Sequence, residues 1–133
     1  MALKSTIYKI NLNVSDMDRG YYAEHALTVA RHPSENDERM MVRVLAFALH
    51  ASDELRFGRG LSAEDEADLY EADLTGAIRL WLDVGLPDEK LVRRAASRAA
   101  QVVVVTYGRT ATQWWEQSKA TLSRLNNLTV VRL

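Results

Sequence analysis

Apolar and polar residues alternate strictly at the start of the chain. Between residues 7 and 15 every second position belongs to the same apolar face, and this period of two predicts a half-buried strand. The SDMDRG segment that follows is typical of a turn, and a weaker alternation over residues 24–31 predicts a second strand. We therefore expect a β-hairpin near the N-terminus.

The pattern changes to a helical one after a His-Pro pair that ends the second strand. Ser34 and Asp37 have the spacing of a capping box, with Asp in place of the usual Glu or Gln, which predicts a helix running to about Ser52. Ten of the twelve residues from 40 to 51 are apolar. We therefore expect this helix to be buried on most of its sides.

Short strands and helices follow each other through the second half of the chain. The predicted strands are 55–59, 68–70, 77–84, 101–107 and 128–133, and the predicted helices begin at about 88 and 110 and end near 100 and 125. A strand, a crossover helix and a further strand form a right-handed parallel unit, and the β-branched run QVVVVTY is typical of a strand buried on both faces. The pattern predicts one α/β domain over residues 1–133, with a mixed sheet.

Composition narrows the class of protein. The chain has 133 residues, is 47% hydrophobic and contains no cysteine, which excludes disulfides, thiolate zinc sites and a cysteine nucleophile. Its net charge of −1 argues against coating nucleic acid by bulk charge but leaves a local basic groove open. With no apolar run long enough for a bilayer and no signal-peptide pattern, we expect a cytoplasmic protein without a membrane partner.

A carboxylate stands near the end of the apolar strand in GAIRLWLDVGLPDEK. In a regular strand Asp83 shares a face with Arg79 and Trp81. The opposite, more apolar face is formed by Ile78, Leu80, Leu82 and Val84. Asp83 is therefore predicted to point away from the apolar face, at the end of its strand.

A second carboxylate, Asp68, lies fifteen residues upstream at the edge of the preceding strand. If these strands pair through the turn at 73–76, Asp68 and Asp83 meet at one end of the sheet. Two adjacent carboxylates repel unless a cation or a proton lies between them, and hard oxygen donors suit Mg²⁺ or Mn²⁺. Such a pair serves metal-assisted phosphodiester hydrolysis. The alternative is that these aspartates only form caps or turns.

The helix after Asp83 carries a basic stripe. Lys90, Arg94 and Arg98 recur at intervals of four, with Arg93 beside them. The stripe could hold a phosphate backbone or could simply be a solvated face. Lys90, in the first turn of this helix, lies nearest to the end of the Asp83 strand.

Several segments together resemble a known family. MALKSTIYKI, ARHPSENDERMM, DLTGAIRLWLDVGLPDEK and QVVVVTYG occur in this order and are similar to the bacterial YaeQ family over nearly the whole chain. Members of that family continue beyond the equivalent of residue 133, so we expect this chain to be shortened at its C-terminus. The resemblance implies a PD-(D/E)XK nuclease-like core of a helix, three strands, a crossover helix and a further strand.

The same resemblance assigns expectations to single residues. Asp68 matches the aspartate that opens the second core strand, although Ala67 replaces the motif's proline, and Asp83 matches the acidic member of the D/E-x-K triplet. Gly85 stands where the triplet's lysine would be, and that lysine orients the attacking water and stabilises negative charge. Either the cation has moved to Lys90 or Arg93, or hydrolysis has been lost and a binding surface remains.

Two functions follow as hypotheses. The first is a Mg²⁺-dependent nuclease in which Asp68 and Asp83 hold the metal and Lys90 is the catalytic cation. The second is a non-catalytic nucleic-acid-binding or protein-interaction module on the same fold, in which nucleic acid is bound by Arg93, Arg94 and Arg98.

Overall fold

The computed structural model describes residues 4–58 and 66–133. Within these residues seven strands form two sheets, and three helices pack on the larger sheet. In chain order the elements are β1 (Thr6–Asp16), β2 (Tyr21–Arg31), α1 (Asp37–Leu49), β3 (Arg56–Phe57), β4 (Leu69–Ala72), β5 (Ile78–Val84), α2 (Glu89–Arg98), β6 (Ala99–Thr106), α3 (Ala111–Leu122) and β7 (Leu128–Arg132). This is the mixed α/β fold that the pattern predicts. Position 59, at the end of the predicted strand 55–59, lies outside the described residues.

The predicted hairpin is present and longer than expected. β1 and β2 pair antiparallel over their whole length, from Thr6 opposite Arg31 to Asp16 opposite Tyr21. The pairing continues through Tyr21–Ala23, where three consecutive apolar residues, including an exposed Tyr22, hide the period of two. The second strand therefore begins three residues before its predicted start.

Helix α1 begins two residues later than a cap at Ser34 implies. The side chain of Asn36 caps the helix by accepting a hydrogen bond from the backbone N–H of Arg39 at 2.8 Å. The hydroxyl of Ser34 is instead within 2.6 Å of His32 Nδ1. The capping box was thus a wrong prediction, because the local turn at 32–35 engages the side chain that the spacing favoured.

The expectation that α1 is buried on most sides was also wrong. Its inner face packs through Met40, Val44 and Phe47. The outer face exposes an apolar stripe of Met41, Leu45 and Leu49. The hairpin and the sheet cover only one side of the helix in the part of the chain that the structure describes.

The larger sheet has the strand order β3-β4-β5-β6-β7. Strand β4 pairs antiparallel with both β3 and β5, whereas β5, β6 and β7 run parallel to one another. Helix α2 connects β5 to β6, so the predicted crossover unit is present. Because these strands are parallel, their carboxyl ends meet at the same edge, where Val84 pairs with Val105.

The sheet carries a hydrophobic cluster on each face. The hairpin and α1 pack on one face, against Leu82, Val103 and Val105, and α2 and α3 pack on the other, against Val102 and Val104. The β-branched run of β6 is therefore buried on both faces, as predicted.

One residue of β5 faces the opposite way from its prediction. Ile78 packs with the α2 side rather than with Leu80. The pairing of β4 with β5 is irregular there, since Glu71 pairs with Leu80 and the next residue pairs with Ile78. Such a bulge reverses the alternation of side chains.

Candidate functional site

Asp68 and Asp83 lie next to each other at the ends of two antiparallel strands. Asp68 immediately precedes β4, and Asp83 is the penultimate residue of β5. They are one position beyond the paired residues Leu69 and Leu82. The backbone N–H of Asp68 donates to Asp83 Oδ1 at 3.2 Å, so the structure brings the two predicted site residues together.

The carboxylate of Asp83 is held by two donors in a mostly dehydrated position. Besides the Asp68 N–H, the indole Nε1–H of Trp81 donates to Asp83 Oδ2 at 3.0 Å. Burial, and then the negative charge of Asp68, raise the pKa of Asp83 from 3.8 to about 6 against the opposing effect of the Trp81 hydrogen bond. Near neutral pH the group is still mainly ionised.

The carboxylate of Asp68 is buried and fully engaged. Only 7% of the residue is exposed. Its Oδ2 accepts the backbone N–H of Val84 at 2.8 Å, and Nη2 of Arg39 lies 3.0 Å from Oδ1 and 2.9 Å from Oδ2. Asp68 is therefore neutralised by a guanidinium from α1, a charge-assisted contact of the strong kind.

Three oxygens surround one nitrogen of Arg39. In addition to both Asp68 oxygens, the carbonyl oxygen of Val84 lies 3.2 Å from Arg39 Nη2. The other terminal nitrogen, Nη1, donates to Glu35 Oε2 at 2.6 Å. Burial works to lower the pKa of Arg39, but the charges and hydrogen bonds of Asp68 and Glu35 outweigh it and raise that pKa. Arg39 is a permanent cation here.

A second arginine, Arg43, holds the carboxylate of Glu35 in place. Glu35 and Arg43 are 3% and 1% exposed. Arg43 donates from Nη2 to Glu35 Oε1 at 2.6 Å and from Nε to Oε2 at 2.9 Å, and it also binds the carbonyl oxygen of Ala30 on β2. The cluster thus contains three carboxylates and two guanidiniums, which leaves one surplus negative charge when Asp83 is ionised.

A cleft of about 440 Å³ opens beside this network, at the carboxyl ends of β5 and β6. It is lined by Glu38, Gly85, Leu86 and the loop 107–110, which includes Arg109. Burial raises the pKa of Tyr107, with smaller contributions from nearby charges, so its hydroxyl stays protonated. In α/β sheets this edge is the usual position for a ligand.

The predicted basic residues all lie on α2. Lys90 is exposed in the first turn, where its backbone N–H donates to the capping Asp88, and within the described ranges its side chain has no ion pair. Arg93, Arg94 and Arg98 are also exposed. Arg98 lines a separate cleft of about 480 Å³ whose wall includes Trp81.

The sequence patterns did not identify three members of the site, Arg39, Glu35 and Arg43. Their four-residue spacing was visible on a predicted helix, but nothing local connects that helix to Asp68. Trp81 carried a clearer signal, since the alternation of β5 already placed it on the face of Asp83.

The chain matches known proteins over almost its whole length. A family model described as "YaeQ protein" matches residues 1–133. An "Uncharacterized protein YaeQ" of Escherichia coli is 45% identical over 131 residues, which is 98% of this chain and 72% of the relative. A protein of the same description in Salmonella typhi is 46% identical over the same shares of the two chains.

Solved structures agree with this sequence similarity. The crystal structure of the YaeQ protein from Xanthomonas axonopodis pv. citri superposes with a TM-score of 0.93 at 52% identity, covering 97% of this chain and 73% of the other. The YaeQ protein from Pseudomonas syringae superposes with a TM-score of 0.92 at 38% identity, covering 96% and 71%. Among the described helices of the present chain, none is both long and apolar enough to cross a bilayer.

Proposed function

The chain belongs to the YaeQ family, and we propose that its strand-end acidic pair is the centre of a Mg²⁺-dependent nuclease that hydrolyses nucleic-acid phosphodiesters. The observation that carries the proposal is the meeting of Asp68 and Asp83, joined by a hydrogen bond of 3.2 Å at the edge of the sheet. Two carboxylates fixed side by side are the donors that this chemistry needs.

The order of elements supports a PD-(D/E)XK nuclease-like core. From α1 onward the chain runs through one helix, three strands, the crossover helix α2 and the parallel strand β6. Asp68 stands at the start of the second of these strands and Asp83 near the end of the third. These are the positions at which such a core places its acidic residues.

The donor set suits a hard divalent cation. Both Asp68 oxygens and the Val84 carbonyl oxygen converge on the positively charged Nη2 of Arg39, so a cationic group already occupies an oxygen-lined position. Asp68 and Asp83 would hold the metal, and among the described residues no third acidic or imidazole side chain joins them. When bound, Mg²⁺ would lower the pKa of a bound water and neutralise charge on the phosphate.

The chain's own residues would supply the remaining functions. Arg109, in the wall of the adjacent cleft, carries the planar cation that binds phosphate oxygens in pairs. Gly85 lies in the same wall, so the missing lysine would have projected from it. In the proposed site, Arg39 and Arg109 therefore provide positive charge at this edge of the sheet. Lys90 remains the residue that the sequence predicts as the catalytic cation.

Cleavage assays with Mg²⁺ test the proposal. Labelled single-stranded DNA, duplex DNA and RNA are incubated with wild type, Asp83→Asn and, as a control, Asp18→Asn, which removes a carboxylate from the β1–β2 turn. We expect Mg²⁺-dependent cleavage that Asp18→Asn retains and Asp83→Asn loses by about a hundredfold or more. Cleavage that persists in a folded Asp83→Asn variant would reject the assignment.

A non-catalytic nucleic-acid-binding module is the second candidate. The contact between Arg39 and Asp68 favours it, because the acidic pair has a counter-ion without any metal. In this case DNA or RNA binds with equal affinity in Mg²⁺ and in EDTA, and Asp83→Asn has no effect. Charge removal at Arg93 and Arg94 on the exposed face of α2 then weakens binding and lowers its salt dependence. Binding that ignores both substitutions would rule out this surface.

A further inference from the structure

Arg39 occupies the position of a cation in the acidic site. We propose that its guanidinium is an internal counter-ion that competes with divalent cations for the oxygens of Asp68, and thereby sets the affinity of the site for Mg²⁺ or Mn²⁺. The inference rests on the proposed metal site and concerns its regulation. It follows from the three oxygens that lie within 3.2 Å of Arg39 Nη2.

Geometry makes the competition direct. A cation bound by Asp68 has to take at least one of the two oxygens that now face Arg39 Nη2 at 3.0 and 2.9 Å. A divalent ion and a guanidinium at such separations repel strongly in a site with little water. A metal ion can therefore bind Asp68 only when Arg39 Nη2 moves away from the Asp68 oxygens.

Arg39 has a second anchor that does not depend on Asp68. Its Nη1 donates to Glu35 Oε2 at 2.6 Å, and Glu35 is itself fixed through both oxygens by the buried Arg43. The backbone N–H of Arg39 is in turn bound to the Asn36 cap. This anchoring holds the guanidinium beside the acidic pair and maintains the competition.

The charge of the cluster gives the direction of the effect. With Asp83 ionised, three carboxylates face two guanidiniums, so a divalent ion meets a single surplus negative charge. Among the described side chains that form this cluster, removal of the Arg39 charge leaves Arg43 to oppose Glu35, Asp68 and Asp83. The surplus then becomes two negative charges, which is the charge that a divalent cation neutralises.

The substitution Arg39→Gln leaves the rest of the network paired. Glu35 keeps both of its hydrogen bonds to Arg43, and Asp68 Oδ2 keeps the backbone N–H of Val84. Arg79→Gln is a matched control, because it removes a guanidinium that also pairs with a carboxylate, Glu71, on the exposed part of β5. Circular dichroism verifies that each variant is folded.

Mn²⁺ binding, measured by calorimetry and by the electron paramagnetic resonance of free Mn²⁺, tests the inference without any substrate. We expect Arg39→Gln to bind Mn²⁺ about tenfold or more tightly than wild type, and Arg79→Gln to equal wild type. Asp68→Asn in the Arg39→Gln background should abolish the gain. Arg39→Lys retains the charge, so it should bind Mn²⁺ no more tightly than wild type, and this comparison also serves if Arg39→Gln does not fold.

The outcomes separate this inference from the proposed nuclease. If Arg39→Gln binds Mn²⁺ and the wild type does not, the result would support the internal counter-ion and count against a metal-dependent activity of the wild type. Equal affinities in wild type and folded Arg39→Gln would overturn the counter-ion and leave the metal site standing. If neither protein binds Mn²⁺, both fail. Should Arg39→Gln be unfolded, Arg39→Lys binding more tightly than wild type would overturn the counter-ion.

Discussion

Asp68 donates its backbone N–H to the carboxylate of Asp83 across two antiparallel strands, at 3.2 Å. A second hydrogen bond connects the strands in the opposite direction. The backbone N–H of Val84, next to Asp83, donates to the carboxylate of Asp68 at 2.8 Å. The backbone of each strand thus holds the acidic side chain of the other. Two negative charges are kept together at a sheet edge, where separation would lose a hydrogen bond from each carboxylate.

The stability of the protein should depend on pH through Asp83. Its pKa is raised from 3.8 to about 6 in the fold, so between these values the folded chain binds more protons than the unfolded chain. The contribution of Asp83 to the free energy of unfolding is therefore highest below about pH 4 and falls by roughly 3 kcal/mol as pH rises through about 6. We expect the stability difference between wild type and Asp83→Asn to fall across this window and to be flat above it.

Urea denaturation at a series of pH values measures this difference. Asp16→Asn is a control of opposite sign, because hydrogen bonds from Arg19 lower the pKa of Asp16. Its stabilising contribution is present at neutral pH and is lost as pH falls through the lowered pKa. A wild-type minus Asp83→Asn difference that is constant, or that rises with pH, would contradict the prediction.

Glu35 should be among the least replaceable residues of the protein. Glu35→Gln removes the charge that faces both Arg39 and Arg43, and the side chain of Arg43 is only 2% exposed. Breaking a buried pair in this way costs about 3–5 kcal/mol, because a dehydrated charge loses its partner. Glu116→Gln, in the exposed pair with Lys119, should cost less than about 1 kcal/mol. Similar denaturation midpoints for the two variants would show that the buried pairing contributes little.

The indole of Trp81 should tune the acidity of Asp83. Trp81→Phe keeps an aromatic side chain, although a smaller one, but removes the Nε1–H that donates to Asp83 Oδ2, and this hydrogen bond lowers the pKa of Asp83. We expect that pKa to rise above about 6 by an amount that corresponds to about 1 kcal/mol. Carboxyl-carbon NMR titration measures it directly.

Trp114→Phe is the matched control for the indole. Trp114 Nε1 donates to the carbonyl oxygen of Pro87 rather than to a carboxylate, so this substitution should leave the pKa of Asp83 at its wild-type value. An unchanged or lower pKa of Asp83 in Trp81→Phe would show that another donor, such as water, fully replaces the indole.

The motif lysine should be disfavoured at position 85 by the backbone and not by a lack of space. Gly85 has φ +108°, and a Cβ built on it meets nothing within 4 Å. Because non-glycine residues rarely adopt this φ, both Gly85→Ala and Gly85→Lys should cost about 1–3 kcal/mol in stability. Thermal or urea unfolding measures both variants.

Gly20→Asn provides the comparison for this backbone effect. Gly20 has φ +64° in the open turn of the hairpin, a conformation that Asn tolerates. We expect this variant to be closer to wild type than Gly85→Ala. If Gly85→Lys were much less stable than Gly85→Ala, crowding or charge at the site would be the cause instead.

The sequence by itself determined the order of elements and the position of the acidic pair along the strands. Alternation placed Asp83 on the face of Trp81, and the short turn between β4 and β5 brought Asp68 alongside. Both relationships involve neighbouring strands in a local hairpin, so the period of side chains was sufficient to predict them.

Only the tertiary structure decided what neutralises the pair. Arg39 lies 29 residues before Asp68 and reaches it because α1 packs on the sheet through its apolar face. The spacing of charges on one helix reveals which side chains share a face, but it does not reveal which strand end that face will meet. Lys90, the residue of the basic stripe on α2 nearest to the end of the Asp83 strand, was therefore the natural candidate from the sequence, whereas packing of the core placed Arg39 against Asp68.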